Sequence, residues 1–247
     1  MSKLANKVAL VTGGSRGIGA AIAKRLAADG ASVAITYAKD AAAASAVVKT
    51  IELDGGKAIA IQADAADAQA AKSAVEKTVA AFGGLDVLVN NAGTAIPKSF
   101  EETTLEEMGR VLDINIRGVF ATTHAALKHL KHGGRIIMIG SAVGERAVAP
   151  GLVPYAATKG AVKMFTQALS REVGSRGITV NNVQPGAGDE GHHRGDLFNA
   201  PIAVERRGSL LRYPPNHPRQ DSSLYRSAPE SSYITGANLT VDGGMNA

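Results

Sequence analysis

The sequence predicts an α/β fold, a doubly wound parallel sheet with helices on both faces. Two observations carry this. Strand-length apolar runs alternate with amphipathic, helix-length stretches about five times before residue 185. A glycine-rich turn, "TGGSRGIG", follows the first apolar run directly, as a strand-to-helix connection requires.

The elements follow in order. "KVALVTGG" reads as a buried strand ending at Thr12, and the first helix starts near Gly17. Ile18, Ile22 and Leu26 recur at helical spacing, and Gly30 supplies the stop. "ASVAITY" is a second strand and "AAAASAVVKTIELDGG" a second helix ending in glycines. "KAIAIQAD" is a third strand, followed by a helix through Phe82, and "LDVLVNNAG" is a fourth strand. "LEEMGRVLDINIRGVFATTHAAL" reads as part of one long helix over 105–132, with Met108, Leu112, Val119 and Thr123 along one stripe. "RIIMIGSAVG" is a fifth strand with Ser141 at its end. "YAATKGAVKMFTQALSREV" is a helix whose buried stripe is Val162, Phe165, Leu169 and Val173.

Composition bounds the function. The 247 residues fit a single domain over 1–247, with no linker-like stretch and no repeat beyond the alternation itself. Hydrophobic residues at 45% and charged residues at 20% are those of a soluble globular protein. No apolar run approaches the roughly 20 residues of a membrane span, and the N-terminus lacks a signal-peptide layout. The absence of cysteine excludes disulfides and thiolate metal sites, so a cytoplasmic location is expected. The formal charge of +5 suits an anionic ligand without showing one. Aromatics at 4% and dispersed basic residues argue against a nucleic-acid partner. The adjacent pair His192–His193 lacks a third ligand, so no metal is expected.

In an open parallel sheet, ligands bind beyond the carboxyl ends of the strands. A helix N-terminus there offers free N–H groups and partial positive charge, which is a phosphate site. The turn spacing is T-G-x-x-x-G-x-G, at Thr12, Gly13, Gly17 and Gly19. Together with "NNAG" at Asn90 to Gly93 and Y-x-x-x-K at Tyr155 to Lys159, it resembles the short-chain dehydrogenase/reductase family. The resemblance covers about residues 5–186 and 230–244. It implies a Rossmann-type fold, a nicotinamide cofactor, and oxidation or reduction at a carbonyl or alcohol carbon. The retained motifs are similar to those of 3-oxoacyl-acyl-carrier-protein reductases and of related polyol and carbonyl reductases.

The resemblance implies a cofactor site made of Gly13, Ser15, Arg16, Gly17, Ile18, Gly19, Ala38, Lys39, Asp64, Asn91, Ala92, Gly93, Tyr155, Lys159, Pro185 and Gly186. An acid after the second strand selects NAD, and a basic residue there favours the 2′-phosphate of NADP. Here Tyr37 takes the acid's place, while Arg16 lies in the glycine turn and Lys39 two residues past the strand. NADP(H) is therefore expected, with Asp40 as the counter-argument. Asp64 is implied to contact the adenine ring.

Reduction needs an acid near the carbonyl oxygen, and Tyr155 is the candidate. Lys159, one turn along the same helix face, is expected to lower the tyrosine pKa. Ser141, by resemblance, hydrogen-bonds the substrate oxygen. Asn115 lies beside the apolar stripe of its helix, so its amide needs partners. Those are nearby backbone or, by resemblance, a water that relays protons to Lys159, and the two roles are compatible.

The resemblance breaks at 187–228. The family has a Thr-rich loop and two short helices over the substrate at this point. This chain has six arginines, no lysine, three of its six histidines, and the helix breakers Pro214, Pro215 and Pro218. Two explanations compete: a stretch read out of frame between two compensating shifts, and a genuine divergent lid. The expected function is an NADPH-dependent ketoreductase acting on a carbonyl substrate such as a 3-oxoacyl thioester. The alternative is an NADP(H)-binding protein without turnover because the lid is disrupted. The helices at 105–132 and 155–173 resemble those that pair subunits in the family, with Ala121, Ala125, Ala161 and Ala168 permitting close packing. A homotetramer is expected, or a dimer if the 187–228 segment disrupts one interface.

Overall fold

The sheet orders its strands β3-β2-β1-β4-β5-β6-β7, every neighbouring pair parallel. The structure is a computed structural model that describes residues 3–147, 149–186 and 234–242. Its elements are β1 (Val8–Val11), α1 (Gly17–Ala28), β2 (Ser32–Tyr37), α2 (Ala41–Leu53), β3 (Lys57–Gln62), α3 (Ala68–Phe82), β4 (Val87–Asn90), α4 (Leu105–Leu112), α5 (Gly118–Ala126), β5 (Arg135–Ile139), α6 (Val153–Val173), β6 (Thr179–Pro185) and β7 (Asn238–Val241). The order reverses between β1 and β4, so the expected doubly wound, Rossmann-type sheet is present.

Alternation along each strand splits the core in two. Ala9 and Val11 of β1, with Val33 and Ile35 of β2, face α1 and α2 through Ile22, Leu26, Val47 and Ile51. Leu10, Ala34, Leu88 and Met138 face the other way, against Val75 of α3, Ala126 of α5 and Val162 and Leu169 of α6. Buried on both faces, the central strands lose the polar alternation of a half-exposed sheet, which is why "VALV" and "RIIMI" read as continuous apolar runs. The stripes expected on α1 and α6 are the ones that pack, with Ile18 and Phe165 partly buried at their rims.

The helix expected over 105–132 is not continuous. Between α4 and α5 lies a π-helical turn, Asp113–Arg117, in which the Gly118 N–H donates to the Asp113 carbonyl, five residues back. The wider turn rotates the following residues out of the 3.6-residue phase. Leu112, assigned to the buried stripe, is 46% exposed, and Val111 takes its place at 1%. The turn also brings Asn115 inward to 2% exposure. Gly118 closes it against the segment after β3: a side-chain carbon there would lie 2.1 Å from the Ala65 carbonyl oxygen.

Because all strands are parallel, the segments after β1, β2, β3, β4, β5 and β6 emerge at one edge, where the sequence-predicted site residues lie. Among the described residues no helix is long and apolar enough to cross a membrane.

Candidate active site

The glycine turn is built to let backbone approach backbone. Gly13 and Gly17 hold φ of 63° and 54°, left-handed values that a Cβ disfavours. Gly19 has no room for one: a Cβ would lie 2.4 Å from both the Gly13 carbonyl oxygen and the Asn91 amide nitrogen. Thr36 clamps the turn from β2, its hydroxyl accepting from the Gly13 N–H at 3.0 Å and its carbonyl from the Gly14 N–H at 2.9 Å. Asn91 clamps it from β4, donating to the carbonyls of Thr12 and Gly13 at 2.8 and 3.0 Å. The Thr12 hydroxyl accepts from the Asn91 and Ala92 N–H groups at 2.9 and 3.0 Å. The Asn91 amide thus braces the turn.

The N-terminus of α1 lacks the side-chain cap found on each of the next three helices. Asp40, Asp67 and Thr104 cap α2, α3 and α4 with side-chain oxygens. Arg16 occupies that position in α1, with an extended backbone and no side-chain cap. The first N–H groups of α1 and an exposed guanidinium therefore face outward together, an arrangement suited to a phosphate anion. Ser15 and Ile18 belong to the same turn.

Beyond β2, Ala38 and Lys39 are exposed, and the Ala38 carbonyl accepts from Gln62 at 3.2 Å. Asp40 accepts from the Ala43 N–H at 2.8 Å as the α2 cap, which directs its carboxylate toward the helix start. Tyr37 packs against the core. At the end of β6, Pro185 and Gly186 lie beside β7: Gly186 donates to the Val241 carbonyl at 2.9 Å, and a Cβ on it would lie 2.6 Å from that of Asp242.

The four candidate catalytic residues meet across three elements. Ser141 follows β5, its hydroxyl accepting from the Val143 N–H at 3.2 Å and near enough to the Tyr155 phenol to favour its ionised form. Tyr155 and Lys159 lie on the first turns of α6, with the ammonium 5.5 Å from the ring centroid. Lys159 is 6% exposed and donates to the Ile139 carbonyl at 2.7 Å. A Cβ on Gly93 would lie 3.7 Å from the Lys159 nitrogen and 3.5 Å from the Asn115 carbonyl oxygen, so this backbone position adjoins both side chains.

Asn115 satisfies its amide within the protein. It donates to the Thr94 carbonyl at 2.8 Å and the Thr158 hydroxyl at 3.0 Å, and accepts from the Thr94 N–H at 2.8 Å. The backbone-bonding role is therefore filled. Thr158 was not anticipated. It is fully buried and also donates to the Tyr155 carbonyl at 2.7 Å, which ties the π-turn to the catalytic helix. Nor was Thr36. A lone threonine carries no spacing signal that flags either, whereas Thr12 opens the glycine motif.

Burial decides the ionisation of the pair. It lowers the Lys159 pKa from 10.5 to about 8. It raises the Tyr155 phenol above 10, opposed by the nearby Ser141 hydroxyl. The lowering expected from Lys159 is not found in the cofactor-free protein. The ammonium points at the Ile139 carbonyl and lies beside the ring, so desolvation of the phenolate prevails. The 187–228 segment and His192–His193 lie outside the described residues.

An ultraviolet difference titration of the cofactor-free protein against Tyr155→Phe tests the sign of that shift. The signal of this one phenolate is expected only above pH 10. Its appearance between pH 7 and 9 would mean that the ammonium, and not burial, governs the phenol.

Known proteins with this architecture match the whole chain. A solved short-chain dehydrogenase from Burkholderia cenocepacia, in complex with NADP, superposes with a TM-score of 0.89 and 47% identity, covering 99% of this chain and 100% of that one. An uncharacterized oxidoreductase of Methylorubrum extorquens is 41% identical over 99% of this chain and 100% of its own length. A 3-oxoacyl-[acyl-carrier-protein] reductase of Synechocystis is 39% identical, covering 99% of both chains. The short chain dehydrogenase family profile matches residues 7–195, and the chain belongs to that family.

Proposed function

We propose that the protein is an NADP(H)-dependent ketoreductase, with a 3-oxoacyl thioester as its candidate substrate class. The observation that carries the reading is the Tyr155 ring with the enclosed Lys159 ammonium 5.5 Å from its centroid, next to Ser141 at the sheet edge where the glycine turn opens. The solved relative with NADP bound supports the cofactor, and the Synechocystis reductase supports the substrate class.

The residues present fit NADP(H). The uncapped start of α1 would take the pyrophosphate, and Arg16 and Lys39 the 2′-phosphate. When bound, the reduced nicotinamide supplies hydride to the carbonyl carbon. Tyr155 gives its proton to the carbonyl oxygen. Its raised pKa keeps the phenol in the acid form that reduction requires. Ser141 donates a hydrogen bond to the same oxygen and so fixes which side of the carbonyl faces the phenol. Lys159 opposes the charge left on the ring as the proton departs, and would bind the nicotinamide ribose. Asn115, anchored to Thr94 and Thr158, supports the proton path to Lys159.

Steady-state NADPH oxidation with ketones, β-keto thioesters and sugars tests this. Tyr155→Phe is expected to bind NADPH normally and to lose about 10²–10⁴-fold in turnover, the usual contribution of a positioned acid. Wild-type kcat/KM for reduction should fall as pH rises through about 8, where Lys159 loses its proton. A variant that keeps more than about a tenth of the rate would place the donor elsewhere.

The protein is also expected to self-associate, as a homotetramer or, if the 187–228 segment disrupts one interface, as a dimer. Val153, Ala157, Met164 and Ala168 form an exposed apolar stripe along α6, with Met164 61% exposed. A second copy of the same stripe is the partner that would cover it. Ala125 instead packs inside its own subunit. Light scattering should give a multiple of one chain mass, and Met164→Glu should reduce it. A wild-type mass of one chain would refute the assembly.

A further inference from the structure

We propose that Gln184 is a positioning residue for carbonyl reduction: from inside β6 it holds the turn that presents the Ser141 hydroxyl to Tyr155. The inference rests on the ketoreductase reading above. β6 departs from the other central strands in composition. β1 reads "VALV" and β5 is apolar from Ile136 to Ile139, whereas β6 reads "TVNNVQP". Asn181, Asn182 and Gln184 are all buried there, the last two completely. A buried amide is unfavourable unless its donors and acceptors are met, so the partners of these side chains carry information.

Asn182 and Gln184 are two residues apart on the strand and face the same side of the sheet. Each connects β7 to the end of β5. Asn182 donates to Oδ1 of Asn238 at 2.8 Å, and its amide lies against Gly140, where a Cβ would stand 2.4 Å from Asn182 Oδ1. Gln184 repeats the arrangement one step along: its Oε1 accepts from the Thr240 hydroxyl at 3.4 Å, and its Nε2 donates to the Ser141 carbonyl at 3.4 Å. Asn238 and Thr240 are the register partners of the two amides. Between them the Gly140 N–H donates to the Val183 carbonyl at 2.7 Å. Backbone and side chains of β6 thus seat Gly140 and Ser141 together.

Both Gln184 contacts are long for hydrogen bonds, so their effect is on direction more than on stability. The Ser141 carbonyl accepts from the Gly144 N–H at 2.9 Å within the turn and from Gln184 outside it, which uses both of its lone pairs. The peptide plane after Ser141 is thereby fixed relative to β6. The far end of the turn rests on α6. A Cβ on Gly144 would lie 2.8 Å from the Lys159 carbonyl carbon, and Glu145 pairs with Lys163, one turn beyond Lys159. Lys163, and after it the Gln184 amide, hold the Glu145 carboxyl below its ordinary range against burial, so Gln184 adjoins both ends of the turn.

The test is a double-mutant cycle on the whole chain, combining Gln184→Met, which keeps the volume and loses the amide, with Ser141→Ala. Its first readout is the ultraviolet titration of the Tyr155 phenol, which needs neither cofactor nor substrate. Ser141 opposes the upward shift of that phenol. Ser141→Ala is therefore expected to raise the phenol pKa further, Gln184→Met to raise it part of the way, and the double variant to match Ser141→Ala alone. The second readout is kcat for an accepted ketone. Gln184→Met should lower it about three- to tenfold with NADPH affinity unchanged, and by less than about twofold in the Ser141→Ala background. A phenol unmoved by Gln184→Met, or an equal loss of kcat in both backgrounds, would overturn the proposal. A wild type that reduces no carbonyl would sink the ketoreductase reading, and the phenol titration would then decide the positioning of Ser141 by itself. If Gln184→Met does not fold, Thr240→Val, at an exposed position of β7, removes the hydroxyl that orients the amide. It is expected to move the phenol in the same direction by less, and no movement would overturn the proposal.

Discussion

Enclosing a lysine ammonium in protein is unfavourable, and Lys159 is enclosed almost completely. Its ammonium donates to the Ile139 carbonyl at the end of β5. That contact fixes α6 against the sheet edge, and with it Tyr155, one turn earlier on the same face. The cost of burial is visible as a pKa near 8. A site arranged only for stability would put an apolar side chain there. The fold nonetheless holds this poorly solvated cation beside the Tyr155 ring.

The parallel sheet makes the arrangement possible. Ser141, the glycine turn, Lys39, Asp64 and Asn91 come from five separate strand ends, yet parallel pairing delivers all of them to one edge. Threonines then lock the loops together. Thr12 and Thr36 hold the glycine turn between β2 and β4, and Thr158 joins α6 to the π-turn. Each uses short side-chain contacts to backbone or amide groups, which fix a loop with little loss of rotamer freedom.

Much of this was legible in the sequence, and the parts that were not have physical reasons. Tyr155 and Lys159 lie four residues apart on a strongly periodic helix, so spacing alone put them together. The glycine turn was legible because Gly13, Gly17 and Gly19 leave few conformations and few reasons for that density. The π-turn was not, because a stripe drawn at 3.6 residues per turn carries its phase straight through Asp113–Arg117 and misassigns Leu112. The direction of the Tyr155 shift was missed for a different reason. Sequence spacing reports the neighbouring charge, while the opposing desolvation depends on a packing that spacing does not describe. Asp40 shows the same limit: its bond to the Ala43 N–H as a helix cap is a local geometry that a count of nearby charges does not describe. Gln184 lies 43 residues beyond Ser141, and Arg110, which pairs with Asp64, lies 46 residues beyond it, so both contacts are products of the tertiary fold.

The central claim is that this edge places a carbonyl carbon and a nicotinamide for hydride transfer, with the phenol supplying the proton. The most direct measurement is mass spectrometry of the alcohols formed when the protein is given β-keto thioesters and NADPH carrying deuterium at the transferable position. The account predicts one deuterium on the former carbonyl carbon of an accepted substrate, and none with Tyr155→Phe over the same time. Tight NADPH binding with no deuterium delivered to any carbonyl in a broad panel would contradict it and leave a protein that holds the cofactor without using it.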